Sequence, residues 1–147
     1  MVNASEVPLS DEDVNAAIEH DEEWHIALEI NNLVGECHGA SHQAGWWTDP
    51  TTGKDIDPIP LIPTKLCLIH SEISEALEGA RKDKMDDHLP HRKSIEVELA
   101  DAVIRICDLA GALNLDLGTA LVEKMRYNAQ RADHKMSNRA ASGGKKF

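Results

Sequence analysis

The chain has 147 residues, of which 41% are apolar but only 3% aromatic, and a formal net charge of −11. That length accommodates one domain with a sizeable core, and so few aromatics mean a core of Leu, Ile, Ala and Val, as in a helical bundle. The acid excess argues against duplex nucleic acid as a partner, and no apolar run approaches the roughly 20 residues of a membrane span.

The charge is unevenly placed. From Leu121 onward seven Lys and Arg stand against two acids, whereas the first 120 residues hold eight against 24. An acidic body with a basic tail suits a molecule that holds metal ions at one place and phosphates at another, and it equally suits a solvated face with a solubilising tail. Cys37, Cys67 and Cys107 are odd in number and widely spaced, as in a reduced cytosolic chain. The opening MVNASEVPLSDEDV lacks the basic region and apolar run of a secretory signal, so a cytoplasmic location is expected.

Ser10 followed by Asp11, Glu12 and Asp13 has the form of a helix start, a capping hydroxyl before acids in the first turn. An irregular helical pattern then runs from about Val14 to His42, with a possible break near Asp21. Gly45 to Pro63 carries four prolines and two glycines and is a loop. Pro63 suits the first turn of a second helix reaching about Met85, and Asp86 to Lys93 is a connector. A third helix spans about Ser94 to Leu113, Asn114 to Asp116 form a turn, and a fourth helix runs from about Leu117 to Asp133. The first 12 residues and the stretch 134–147 are expected to be loose. Nothing alternates with strand period, so the fold class is all-α, a four-helix-bundle-like single domain over 1–147.

The second and third helices repeat one pattern 26 positions apart: Ile69, Glu72, Ile73, Glu75, Ala76, Leu77, then Ile95, Glu98, Leu99, Asp101, Ala102, Val103. At about 100° per residue, Leu66, Ile73, Ala76, Leu77 and Ala80 share a stripe, with Glu72 and Glu75 along one border. Leu99, Ala102, Val103, Ile106, Leu109 and Leu113 form the matching stripe, with Glu98 and Asp101 on the matching border. Helices packed by those stripes bring four carboxylates together, and clustered anions repel unless a cation sits among them. Oxygen ligands without Cys or His favour Mg²⁺ or Mn²⁺ over Zn²⁺. The bland alternative is a salt-bridge network through Arg105, which lies between Glu98 and Asp101 in angle.

Lys124, Asn128 and Arg131 share a narrow face of the fourth helix and form a plausible phosphate-contacting edge, or an ordinary solvated one. Trp46 and Trp47 sit in a loop with little core to fill, so they stack on a ligand such as a nucleobase, seal a subunit boundary or cap the bundle. His38 and His42 have metal-ligand spacing without a third ligand, which leaves His38 as a candidate base contact. Glu22 and His25 match half of a carboxylate-bridged di-iron motif whose counterpart is missing.

Glu72-Ile-Ser-Glu75, a 22-residue spacer, Glu98-Leu-Ala-Asp101 and the downstream Lys124, Asn128 and Arg131 with Tyr127 beside them together resemble the all-α nucleoside triphosphate pyrophosphohydrolases, the MazG-like family. Gly143-Gly144-Lys145-Lys146 is similar to the tail of short, often phage-encoded members. The resemblance covers roughly residues 20–147 and implies an oligomer, a homodimer or homotetramer with its site at the subunit boundary. It implies cleavage of a nucleoside triphosphate to a monophosphate and pyrophosphate. Glu72, Glu75, Glu98 and Asp101 would hold Mg²⁺ (or Mn²⁺), with Glu75 and Glu98 as catalytic carboxylates. Lys124, Asn128, Arg131, His38, Trp46 and Trp47 would contact substrate. Resemblance to the MazZ-type branch favours dGTP or GTP, with a dCTP- or dUTP-directed enzyme as the alternative. A non-catalytic helical binding module is the rival from another class.

Overall fold

The computed structural model describes residues 11–145, with side chains from residue 21 onward. Four main helices account for most of it: α1 (Asp11–Gln43), α2 (Ile62–Arg81), α3 (Ser94–Ala112) and α4 (Leu117–Gln130), followed by the short α5 (Met136–Ala140). Among the described residues there is no sheet, only isolated bridges at Thr48–Asp55 and Met85–Lys93. No described helix is long and apolar enough to cross a membrane. The all-α expectation holds. The capping role expected of Ser10 lies outside the described residues.

α1 runs through Asp21 without interruption. It ends where Gly45, at φ 84°, takes the left-handed conformation. The N–H of Trp46 then donates to Ser41 O at 3.1 Å and that of Gly45 to His42 O at 2.9 Å, a Schellman cap that satisfies the last carbonyls. α2 and α3 stop the same way, with Asp83 at φ 48° and Asn114 at φ 52° in the left-handed position. Lys84 N reaches Gly79 O at 3.0 Å and Leu115 N reaches Ala110 O at 2.9 Å. The cap at Asp83 is why α2 ends at Arg81 rather than near Met85. α3 opens on half of a capping box, the Glu96 side chain accepting from the Lys93 N–H at 3.3 Å while the Glu96 N–H donates to Lys93 O at 2.9 Å.

The backbone falls into two compact units, Asn31–Leu117 and the described parts of Met1–Ile30 with Gly118–Phe147. In the Asn31–Leu117 unit, Val34 and Cys37 of α1 pack on Cys107 and Ala110 of α3, with Leu117 against them. Burial and the neighbouring Cys37 push the Cys107 thiol above its ordinary range. α2 and α3 pair antiparallel: Gly79 meets Ser94 at one end and Lys65 meets Asp108 at the other. A Cβ on Gly79 would lie 2.5 Å from Ser94 Oγ and 2.8 Å from its Cβ, so glycine is what lets the helices approach.

The seam of that pair differs from the expected one. The residues α2 buries are Glu72, Ala76 and Gly79, one border carboxylate and small residues rather than the large aliphatics of the stripe. Leu66, Ile73, Leu77, Leu99, Val103 and Ile106 of the two stripes are 40–62% exposed. Small residues allow close packing, and the larger aliphatics are left on the outside.

In the other unit, a Cβ on Gly118 would stand 2.1 Å from Ala27 O, so α4 starts in backbone contact with α1. Arg126 grips Glu23 through both Nε, at 3.2 Å, and a terminal guanidinium nitrogen. After α4 a 3₁₀ turn at Ala132–His134 precedes α5, and the Asn138 amide donates to Ala132 O at 2.6 Å.

Candidate metal and nucleotide site

Antiparallel pairing of α2 and α3 sets the two acidic borders face to face. Glu72, Glu98 and Asp101 each offer a carboxylate oxygen, and these oxygens lie within 4.8 Å of one another. Glu72 is buried. Exposed Glu75 falls outside that tight group but lines the same cavity of about 550 Å³, together with Asp86, Lys84, His88 and Arg105. Asp86 is buried, and its Oδ1 accepts the N–H groups of His88 at 2.9 Å and Leu89 at 2.6 Å, which fixes the connector at the cavity rim.

Burial pushes the Glu98 carboxyl above its usual range, and the charges of Glu75, Glu72, Asp101 and Asp86 add to the push. Three clustered oxygen donors of like charge fit a hard divalent cation, Mg²⁺ or Mn²⁺, and no nitrogen or sulfur donor in the group draws a softer one. One cation already stands there: Arg105 Nε lies 2.6 Å from Glu72 Oε1.

A second cavity, about 280 Å³, adjoins the first through a common wall. Asp101 and Arg105 line both, and Ser41, Trp46, Lys65, Leu68, Ile104 and Asp108 complete the second. Gly45 turns the chain so that the two tryptophans face opposite ways. Trp46 is 71% exposed at the cavity edge, while Trp47 is 3% exposed and belongs to the core. The loop folds back on itself, Ile56 N donating to Trp47 O at 2.9 Å and Asp49 Oδ1 accepting from Thr51 N at 2.7 Å. It therefore has a core to fill, contrary to the expectation that there was little of one here, and Trp47 fills it.

What anchors Trp47 is Asp108, a residue the repeat does not single out. Asp108 is buried, accepts the Trp47 indole N–H at 2.7 Å, meets His38 Nδ1 at 3.1 Å and pairs with Lys65 Nζ at 3.0 Å. Lys65 also lies 4.0 Å over the Trp47 ring, a cation–π contact. Burial works to raise the Asp108 carboxyl, but the hydrogen bonds from His38, Trp47 and Lys65 and the Lys65 charge hold it below the usual range. His38 thus faces Asp108, and it does not line the second cavity. A signal existed in the sequence: Asp108 is seven positions after Asp101 and Lys65 seven before Glu72, two helical turns along the same faces.

Lys124, Asn128 and Arg131 belong to the other unit. Lys124 Nζ lies 4.6 Å from the Tyr127 ring centroid and the Arg131 guanidinium 5.9 Å from it. Arg131 also clasps Asp133 with two hydrogen bonds of 2.9 and 2.6 Å. The Asn128 Oδ1 is buried without a hydrogen-bond partner.

Comparison with family models, with curated proteins and with solved structures gives no match to this chain.

Proposed function

We propose that the chain is a Mg²⁺-dependent nucleoside triphosphate pyrophosphohydrolase of the MazG-like kind, releasing a nucleoside monophosphate and pyrophosphate. The observation that carries this reading is the convergence of Glu72, Glu98 and Asp101 within 4.8 Å across two antiparallel helices, beside a cavity edged by an exposed tryptophan. Those three carboxylates would hold the ion, which when bound polarises a phosphoryl group and favours ionisation of the attacking water. Glu75, exposed in the same cavity, accepts the water's proton. Glu98, whose carboxyl burial and neighbouring acids push above its usual range while no ion is bound, is the other acid–base candidate.

Trp46 offers a face on which a nucleobase stacks, next to the Ser41 hydroxyl. Guanine is the base we favour, from the sequence resemblance. The phosphate-binding role of Lys124, Asn128 and Arg131 rests on that resemblance alone, as do the phage origin and the cytoplasmic location. Trp47 and His38 act behind the site, through Asp108. The exposed aliphatic faces of α2 and α3 are covered by a second copy of the chain, giving a dimer or tetramer.

The test is incubation with Mg²⁺ and each common ribo- and deoxynucleoside triphosphate in turn, with monophosphate and pyrophosphate as the readout. Pyrophosphate from at least one nucleotide supports the proposal. Release of inorganic phosphate instead would place the cut at another bond, and no turnover with any nucleotide would overturn the enzyme. A second reading has one observation in its favour. The Arg105–Glu72 ion pair is what a salt-bridged acidic face of a non-catalytic helical binding module would contain.

A further inference from the structure

The two cavities share a wall, and the wall contains a cation whose present partner is one the proposed metal ion would recruit. Three Lys and Arg side chains line the cavities: Lys84, Lys65 and Arg105. Lys84 pairs with Asp87 at 2.6 Å and Lys65 with Asp108 at 3.0 Å, carboxylates that stand apart from the three-oxygen group. Arg105 alone among them is paired to a member of that group, its Nε 2.6 Å from Glu72 Oε1. The pairing is one of charge: the buried Nε has no aligned hydrogen-bond acceptor. A guanidinium favours a planar, two-pronged oxyanion partner, and the contact to Glu72 leaves that capacity unused.

Asp108 offers Arg105 no free two-pronged face in exchange, since Trp47 and His38 hold its Oδ1 and Lys65 its Oδ2. The group that suits a guanidinium released between the two cavities is a phosphate. We propose that Arg105 is an exchangeable countercation. It neutralises Glu72 until a divalent ion takes that carboxylate, and it then binds the phosphates of the ligand from the wall common to both cavities. The inference rests on the metal-dependent reading above and adds a residue and a regulation to it. The ion and the arginine compete for one carboxylate, so ion and phosphate binding favour one another.

Calorimetric titration of the full chain tests each half without turnover. Arg105→Gln should bind Mn²⁺ about tenfold more tightly than the unaltered protein in the absence of nucleotide, because a competing charge has gone. With Mg²⁺ saturating, its affinity for inorganic pyrophosphate should fall at least tenfold, with partial recovery in Arg105→Lys, which restores charge without the fork. Circular dichroism establishes that both variants are folded, and Arg105→Met replaces the glutamine variant if it is not. Mn²⁺ affinity equal to or weaker than that of the unaltered protein overturns the countercation, and unchanged pyrophosphate affinity overturns the phosphate contact. In either case, an unaltered protein that binds Mn²⁺ and releases pyrophosphate leaves the hydrolase standing. An unaltered protein that binds no divalent ion overturns both.

Discussion

The indole N–H of Trp47 meets the Asp108 carboxylate at 2.7 Å across 61 positions of chain. Through it the loop after α1 is fastened to α3 near that helix's C-terminal end. Lys65 from α2 and His38 from α1 close on the same carboxylate, so one acidic side chain ties three helices and a loop together behind the cavities.

Replacing Asp108 with Ala strands the Lys65 ammonium and the Trp47 N–H at once. Removing one partner of a buried, hydrogen-bonded charge pair costs about 3 kcal/mol or more, to be read from urea unfolding. The pH dependence follows from the sign of the shift. The folded carboxyl sits below its unfolded value, so its contribution is present above that unfolded value, near pH 4. It is lost as pH falls through the folded one. Asp108→Asn should therefore flatten the acid limb of stability against pH, and an unchanged acid limb would count against the linkage.

The two tryptophans separate packing from binding. Trp47→Ala should cost about 3–5 kcal/mol, as for other buried aromatics. Trp46→Ala should leave stability within about 0.5 kcal/mol, as at other exposed positions, while raising KM for the preferred nucleotide. Equal destabilisation by both would mean that Trp46 is packed against something rather than free to stack.

Much of this architecture is legible in the residues. Pro63 marks the first turn of α2, Asn114 the turn after α3, and the repeat around Glu72 and Glu98 places its carboxylates on one side of two helices. What the periodicity misleads about is which members of each stripe form the seam. Hydrophobicity favours the face with Ile73, Leu77, Leu99 and Val103, whereas close approach favours Ala76, Gly79 and Ala102, and between α2 and α3 the small residues win. Spacing sets Asp108 and Lys65 on the faces of Asp101 and Glu72, but their value lies in pairing with each other and with Trp47, across 43 and 61 positions. Helical spacing reports neighbours on one helix, not such long-range partners.

Glycine at position 118 is a demand of the backbone. An added methyl would collide with the Ala27 carbonyl oxygen at 2.1 Å, and no side-chain rotation relieves a clash with main chain. Gly118→Ala should destabilise the α1–α4 contact by about 1–3 kcal/mol, as overpacking does, despite the roughly 1 kcal/mol that alanine contributes to helix propensity. Urea or thermal unfolding measures it, and a variant at least as stable as the original would refute the contact.

The aliphatic face left bare by α2 and α3 should determine assembly. Leu77 and Val103 are 62% and 46% exposed, and an apolar surface of this kind is stabilised by a partner at about 25 cal/mol per Å² covered. Leu77→Glu with Val103→Glu should shift the protein toward monomer in sedimentation equilibrium. An unaltered chain that is monomeric at tens of micromolar would remove the second copy from the proposal.

Glu98 should show opposite effects on stability and on activity. Its folded carboxyl lies above the ordinary value because burial and four neighbouring acids disfavour the charged form. Its contribution to stability is therefore fully present below the unfolded value, near pH 4.3, and is lost as pH rises through the folded one. At neutral pH without divalent ions, Glu98→Gln removes that repulsion and should raise the melting temperature by a few degrees. Mg²⁺ should then raise the melting temperature of the unaltered protein more than that of the variant, since binding to the folded state stabilises in proportion to affinity. Turnover should fall at least a hundredfold, about the contribution of a positioned acid–base group. A variant that melts lower than the original in chelator would show instead that Glu98 is held by favourable pairing, and the carboxylates would then need no ion between them.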